Sequence, residues 1–210
     1  KKKNVKIINI NNLYKLNDLF FFSIEYERII NVKKFRSKNL FNFHFSLLPK
    51  YRGCHTNFLQ INNGEKFSGV TLHKIDAGID SGDIIMVDEF IFPYKLSKPI
   101  EYEEFQQKKE FEFQKKFLKK ILKNQEFIPL SQPNYLSTYF PRLSTNDNGW
   151  IDWSLKIESL FNFISAFDNP YQGASTYYKK KLVRLKNVNL TKSDQIFHPY
   201  QYGIIYRKSK

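Results

Sequence analysis

Cysteine occurs once in the 210 residues, at Cys54, so no intrachain disulfide can form and a small disulfide-stapled scaffold is excluded. Long apolar runs are missing as well. No stretch approaches the roughly 20 apolar residues of a membrane span, and no basic-then-apolar leader is legible at the start. The expected setting is therefore a reducing cytoplasm with no membrane partner. Glycine and proline are sparse, at eight each, which excludes collagen-like and low-complexity classes. Hydrophobic residues at 41% and aromatic residues at 17% exclude a disordered chain. Acidic residues number 20 against 34 lysines and arginines, a net charge of +14. That excess is spread rather than gathered: +9 over residues 1–53, −4 over 54–93, +3 over 94–130 and +6 over 131–210. Between residues 101 and 116 glutamates and lysines interleave as on a solvated helix face. The charge thus reads as solvated surface rather than a nucleic-acid footprint, and it suits a polyanionic small substrate such as a nucleotide diphosphate.

What is present is a succession of short apolar runs. Val5–Ile10 alternates, and Leu19–Ile24 is continuous, as in a strand buried on both faces. Leu40–Phe45 is a third strand, closed by Pro49 and Gly53. Thr56–Ile61 is a short helix, and Gly69–Lys74 and Asp83–Phe92 are strands separated by a turn rich in Asp, Gly and Ser. Helical spacing governs residues 100–123, and Pro129, Pro133 and Pro141 punctuate a polar connector. A second helix over Lys156–Phe167 precedes strand-like runs at Thr176–Tyr178, Leu182–Val188 and Gly203–Arg207.

Chemistry concentrates in residues 42–53 and 69–85. Asn42 and His44 stand at i and i+2 near the end of a strand, so both side chains project from one face. An amide donor beside an imidazole is the pairing that acyl transfer requires, one group for a developing oxyanion and the other for a proton. Asp80 supplies a carboxylate from the following turn, and a third partner fixes the tautomer of a histidine. His73 reads as a satisfied strand histidine ahead of a direct ligand, and Cys54 and His55 have no second cysteine with which to form a zinc site. Lys50, Tyr51 and Arg52, on the adjoining loop, are read as exposed. They are either contacts for substrate phosphate or sugar or a solvated loop.

The strings Asn-x-His, Ser-Leu-Leu-Pro-x-Tyr-x-Gly and Asp-x-Gly-x-Asp-x-Gly-Asp occur in order over residues 42–83, with His44 and Asp80 36 positions apart. Together they resemble the formyltransferases that use 10-formyltetrahydrofolate. The resemblance implies an α/β fold, a Rossmann-like, mainly parallel sheet, with a small β-containing C-terminal domain. It also implies about two further βα units ahead of this stretch, hence a catalytic domain over residues 1–130 that lacks its front. A linker over 131–153 and a C-terminal unit over 154–210 would follow. By the same resemblance Asn42, His44 and Asp80 are the catalytic residues, and 10-formyltetrahydrofolate is the co-substrate with no metal required. Arg28, Ile29 and Ile30 on one side, and Asp76, Ala77, Gly78, Ile79 and Asp83 on the other, would hold the folate. Lys50, Tyr51, Arg52, Gly53, Thr71 and Trp150 would meet the acceptor.

Residues 149–154 (GWIDWS), 166–175 (AFDNPYQGAS) and 177–187 resemble the amino-sugar branch of that family. This implies a nucleotide-linked, dTDP-type deoxyamino sugar as the acceptor, a place in bacterial surface polysaccharide synthesis, and a homodimer as one arrangement. Methionyl-tRNA formyltransferases share the Ile-Asp-Trp element and are the alternative. Trp150, Trp153 and Phe167 either stack on a base or anchor the linker as buried aromatics. A third reading, prompted by the missing front, is a truncated, non-catalytic folate- or nucleotide-binding module.

Overall fold

The computed structural model describes residues 6–26, 28–193 and 195–204. Along the chain lie α1 (Ile10–Leu13), β1 (Phe21–Ile24), β2 (Leu40–His44), β3 (Arg52–Gly53), α2 (Thr56–Asn62), β4 (Phe67–Lys74), β5 (Ile84–Ile91), α3 (Pro99–Leu122), β6 (Tyr139–Phe140), α4 (Thr145–Asn148), α5 (Ile157–Ala166), β7 (Ala174–Tyr178) and β8 (Lys181–Leu185). The chain divides into two units. One holds the described residues up to Thr56 with Phe67–Phe90 and Gln106–Pro141, and the other holds Asn57–Lys66, Ile91–Phe105 and the chain from Arg142 onward.

The first unit is a mixed α/β layer. Its four-stranded sheet has the order β1-β2-β4-β5. β1 and β2 are parallel, Phe22 opposite Phe41 and Ile24 opposite Phe43. β2 and β4 are antiparallel, Asn42 opposite His73 and His44 opposite Thr71. Successive side chains of a strand point to opposite faces, and β2 uses both. Phe41 and Phe43 meet Phe117 and Phe113 of α3 edge-on, with ring centroids 5.9–6.4 Å apart. Phe22 joins the same cluster, so α3 and the sheet are sealed by aromatic rings. Asn42 and His44, alternating with them, are thereby left for the other face. α3 starts at a glutamate cap, Glu101 accepting from the backbone N–H groups of Ser97 and Lys98, and ends before the left-handed Asn124.

The polar connector is not a free linker. β6 pairs in parallel with β3, Arg52 opposite Tyr139 and Gly53 opposite Phe140. Gly53 has φ +98°, and a Cβ there would stand 2.2 Å from the Phe140 carbonyl oxygen, so only glycine fits.

In the second unit Leu160, Ile164 and Ala166 of α5 are buried. Phe167 sits edge-on to Phe58 at 4.5 Å and near Phe163 at 5.1 Å. β7 and β8 form an antiparallel hairpin, Tyr178 opposite Lys181. Its two turn residues, Lys179 and Lys180, both have positive φ, the geometry of a two-residue hairpin turn.

Two sequence expectations fail here. Val5 lies outside the described residues, but the rest of Val5–Ile10 forms no strand: Ile7 is fully exposed and Ile10 opens α1. The Asn9 side chain accepts from Asn11 N–H and caps that helix, a local bond that outcompetes a weak alternation. Leu19–Ile24 yields β1, yet at an outer position among the described strands with Ile24 nearly half exposed, rather than buried on both faces. Gly203 and Ile204 are irregular, and the remainder of the last strand-like run lies outside the described residues.

Phe113 is wholly buried, so Phe113→Ala is expected to lower unfolding free energy by about 3–5 kcal/mol in denaturant titration; a loss below about 1 kcal/mol would contradict the sealed aromatic layer.

Candidate active site

His44 is the last residue of β2 and is buried. Its Nε2 lies 2.7 Å from the Tyr51 carbonyl oxygen. A carbonyl only accepts, so the hydrogen sits on Nε2 and Nδ1 is the nitrogen left to titrate. That Nδ1 faces Asp80 Oδ2 at 3.6 Å. Burial lowers the pKa of His44, with His73 adding to the effect, against opposition from Asp80 and the Tyr51 carbonyl.

Asp80 sits in the turn between β4 and β5 at φ +51°, a left-handed conformation that Asp tolerates better than most residues. Its Oδ2 accepts from Gly53 N–H at 2.9 Å and its Oδ1 from Asn42 Nδ2 at 3.2 Å. Burial pushes the carboxyl pKa up, but the protonated His44 ring, a hydrogen bond from protonated His73 and the Gly53 N–H outweigh it and hold the group far below the usual carboxylate range. Asp80 is therefore ionised, and His44 is neutral, near pH 7.

Two residues of this cluster lie outside the three expected catalytic positions. His73 is buried on β4 directly across from Asn42, with Nε2 3.1 Å from Asn42 Nδ2 and 3.4 Å from Asp80 Oδ1. Only the antiparallel register makes it a neighbour of the site, and no local string announces that register. The other is Gln132, whose Nε2 donates to the backbone carbonyls of Asp80 (3.0 Å) and Gly82 (2.7 Å). It comes from the connector, and nothing in the sequence marks it.

Gln132 also holds a buried cation. Arg52 was expected to be exposed, but it is buried: Nε and Nη2 donate to Gln132 Oε1 at 3.1 and 2.9 Å, and Nη1 donates to Asn134 Oδ1 at 3.2 Å. Its guanidinium is spent on holding the Asp80 turn through Gln132. Tyr51 is likewise buried, stacked on Phe140 and bonded from its N–H to Thr138 Oγ1. Thr71 is wholly buried, donating to the Ser46 carbonyl and accepting from Leu48 N–H, so its hydroxyl is already spent. Lys50 is exposed as expected.

On the turn, Asp76 accepts from Gly78 N–H and Ser81 Oγ, and Ala77, Gly78 and Ile79 are exposed. The Asp83 carbonyl accepts from Lys74 N–H, closing the turn. Gly82 is obligatory, because a Cβ would stand 2.0 Å from the Lys74 carbonyl oxygen. Arg28 and Ile29 are exposed and Ile30 is half-buried, on irregular backbone after β1. Trp150 lies in the second unit, partly exposed and stacked on Tyr177 at 5.2 Å. Among the described residues no three His, Cys, Asp or Glu are arranged to hold a metal ion, and no helix is long and apolar enough to cross a membrane.

The formyl transferase family model matches residues 15–110, and the formyl transferase C-terminal domain model matches residues 143–209. A methionyl-tRNA formyltransferase of Clostridium tetani is 30% identical over 223 aligned positions that cover all of this chain and 69% of that protein. The chain belongs to the formyltransferase family. Another relative, the bifunctional polymyxin resistance protein ArnA of Wigglesworthia glossinidia brevipalpis, is 34% identical over 85% of this chain and 28% of its own length. Among solved structures, an N-formyltransferase of Helicobacter canadensis, crystallised with folinic acid and dTDP-3-aminofucose, is 39% identical with a TM-score of 0.66. The match covers 78% of this formyltransferase chain and 60% of that one, so the chain spans well under two thirds of some relatives it matches.

The lowered pKa of His44 makes a signed prediction. A histidine whose folded value lies below its ordinary 6.5 stabilises the fold fully above 6.5, and that stability is lost as pH falls toward the folded value. Asp80, depressed from 3.8, loses its contribution only at lower pH still. Between pH 7 and 5, wild type is therefore expected to lose more thermal stability than His44→Gln. Other groups, including Glu110 with a pKa pushed up to about 7 by burial, cancel in that difference. Parallel melting curves would refute this assignment.

Proposed function

We propose that this chain transfers a formyl group from 10-formyltetrahydrofolate to the amine of a nucleotide-linked deoxyamino sugar, with dTDP as the nucleotide. The carrying observation is the meeting of Asn42, His44 and Asp80 at hydrogen-bonding or near-contact distance on the sheet face opposite α3. The co-substrate, when bound, supplies a formyl carbon that passes from the folate N10 to the acceptor nitrogen, while one amine proton passes to N10. Fit to such a group is supported by exposure: Asn42 and Asp80 are only partly buried within an otherwise buried cluster, and the Ala77–Ile79 backbone beside them is open.

Each residue then has a role. Asp80, ionised at neutral pH, takes the proton of the attacking amine and returns it to the departing nitrogen. Asn42 offers an amide N–H to the formyl oxygen as negative charge develops there. His44, anchored through Nε2–H to the Tyr51 carbonyl, presents an unprotonated Nδ1 to Asp80 and accepts a hydrogen bond from that carboxyl once it holds the amine proton. Ala77, Gly78, Ile79, Asp76 and Asp83 on the turn, with Arg28, Ile29 and Ile30, would line the folate. Lys50, exposed beside the site, suits an acceptor phosphate. The choice of a dTDP-amino sugar rests on the 39% identity to a protein crystallised with dTDP-3-aminofucose. A methionyl-tRNA acceptor is the second reading, favoured by the full-chain match to the clostridial relative.

The test is formyl transfer from 10-formyltetrahydrofolate to a panel of dTDP-amino sugars and to initiator methionyl-tRNA, with His44→Ala as blank. The expected result is turnover of a sugar that falls at least about 100-fold in the variant. Turnover of the tRNA alone would move the assignment to the second reading. Silence of a folded chain on every acceptor would overturn both.

A further inference from the structure

His73 carries information that the three expected catalytic residues do not. Its Nδ1 lies 2.7 Å from the Lys74 carbonyl oxygen, which can only accept, so Nδ1 holds the hydrogen in every protonation state. Nε2 alone titrates, and it has two neighbours of opposite character. Asn42 Nδ2, a donor, is 3.1 Å away, and Asp80 Oδ1, an acceptor, is 3.4 Å away. Neutral His73 can only accept, and its partner is then Asn42. Protonated His73 can only donate, and its partner is then Asp80.

Asn42 is the other half of this arrangement. Its amide nitrogen has two hydrogens, and the contacts to His73 Nε2 and Asp80 Oδ1 at 3.2 Å occupy both. With His73 neutral, no Asn42 N–H is left for a substrate oxygen. We propose that His73 is a positioning residue that switches its hydrogen bond from Asn42 to Asp80 when Nε2 takes up a proton, thereby releasing one Asn42 N–H to the reacting carbonyl oxygen. The catalytic consequence rests on the formyl-transfer reading above.

The step is one proton transfer with no change at carbon: Asp80 receives the amine proton, Oδ1–H passes it to His73 Nε2, and it returns by the same route to the departing nitrogen. Negative charge on the substrate oxygen and the freed N–H that neutralises it thus arise together. The titratable groups facing His73 are Asp80, from the turn, and His44, from β2, whose ring stands edge-on with centroids 6.3 Å apart. Lys74, next in the strand, contributes its carbonyl. His44 is kept neutral by burial, so the proton has Asp80 and His73 to choose between.

The experiment is a pH titration of the full chain labelled with 15N in histidine and asparagine, read by NMR on the His73 ring nitrogens and the Asn42 side-chain amide. The expected result is a His73 ring with hydrogen on Nδ1 at high pH and an Asn42 amide shift with the same midpoint as His73. That amide response is lost in His73→Gln. An Asn42 amide that ignores pH, or that responds equally in the variant, would overturn the switch. In formyl-transfer assays, kcat of His73→Gln is expected to fall about 10–100-fold while KM for the folate changes less than about two-fold. Wild-type turnover matched by His73→Gln at every pH would overturn the catalytic role. Linked NMR titration in a chain with no turnover on any acceptor would overturn the formyl-transfer reading and uphold the switch.

Discussion

Asp80 is an ionised carboxylate held in a largely buried setting, and the neighbourhood is organised around making that tolerable. An uncompensated buried charge costs several kcal/mol, on the order of what a whole domain has in hand. Compensation comes from two donors, Gly53 N–H on Oδ2 and Asn42 Nδ2 on Oδ1, with the rings of His44 and His73 beside the same oxygens. Each of those groups is in turn fixed by backbone. Both histidines lean on carbonyls, Asn42 is locked into the strand, and Gly53 is pinned by β6. The carboxylate is therefore the point on which β2, β4, the turn and the connector agree.

The aromatic layer on the opposite face of β2 is what allows such a polar cluster. Phe41 and Phe43 fasten the strand to α3, and the same alternation that sends them inward sends Asn42 and His44 to the other side. One five-residue strand thus serves a dry face and a polar face at once. Stability comes from rings that touch no chemistry, and the reactive groups are spared from contributing hydrophobic burial.

Much of this was legible in the chain, though unevenly. β2, α2, β4, β5 and α3 fell where periodicity and turn residues placed them, because their patterns are long and their ends carry proline, glycine or an acidic cap. Asn42 and His44 on β2 and Asp80 in the turn after β4 could be linked through their strings. What escaped were relations that depend on register or on distant sequence. His73 becomes a neighbour of Asn42 only once β2 and β4 run antiparallel, and Arg52 reads as an exposed cation in the sequence because its partner, Gln132, lies 80 positions away. Val5–Ile10 misled for the opposite reason: its alternation is real, but a single asparagine cap at Asn9 decides the local structure.

Gln132 gives the site an order of assembly. A ribosome releases this chain from the N-terminus, and by the time Leu130 has emerged Asn42, His44, His73 and Asp80 are all present. The side chain that holds the carbonyls of Asp80 and Gly82 is not, nor is the strand that pins Gly53. Contacts so distant in sequence form late, after local helices and hairpins. The nascent chain therefore carries every reactive group of the cluster well before it carries their restraints, and functional geometry is acquired as one of the last events in building the first unit.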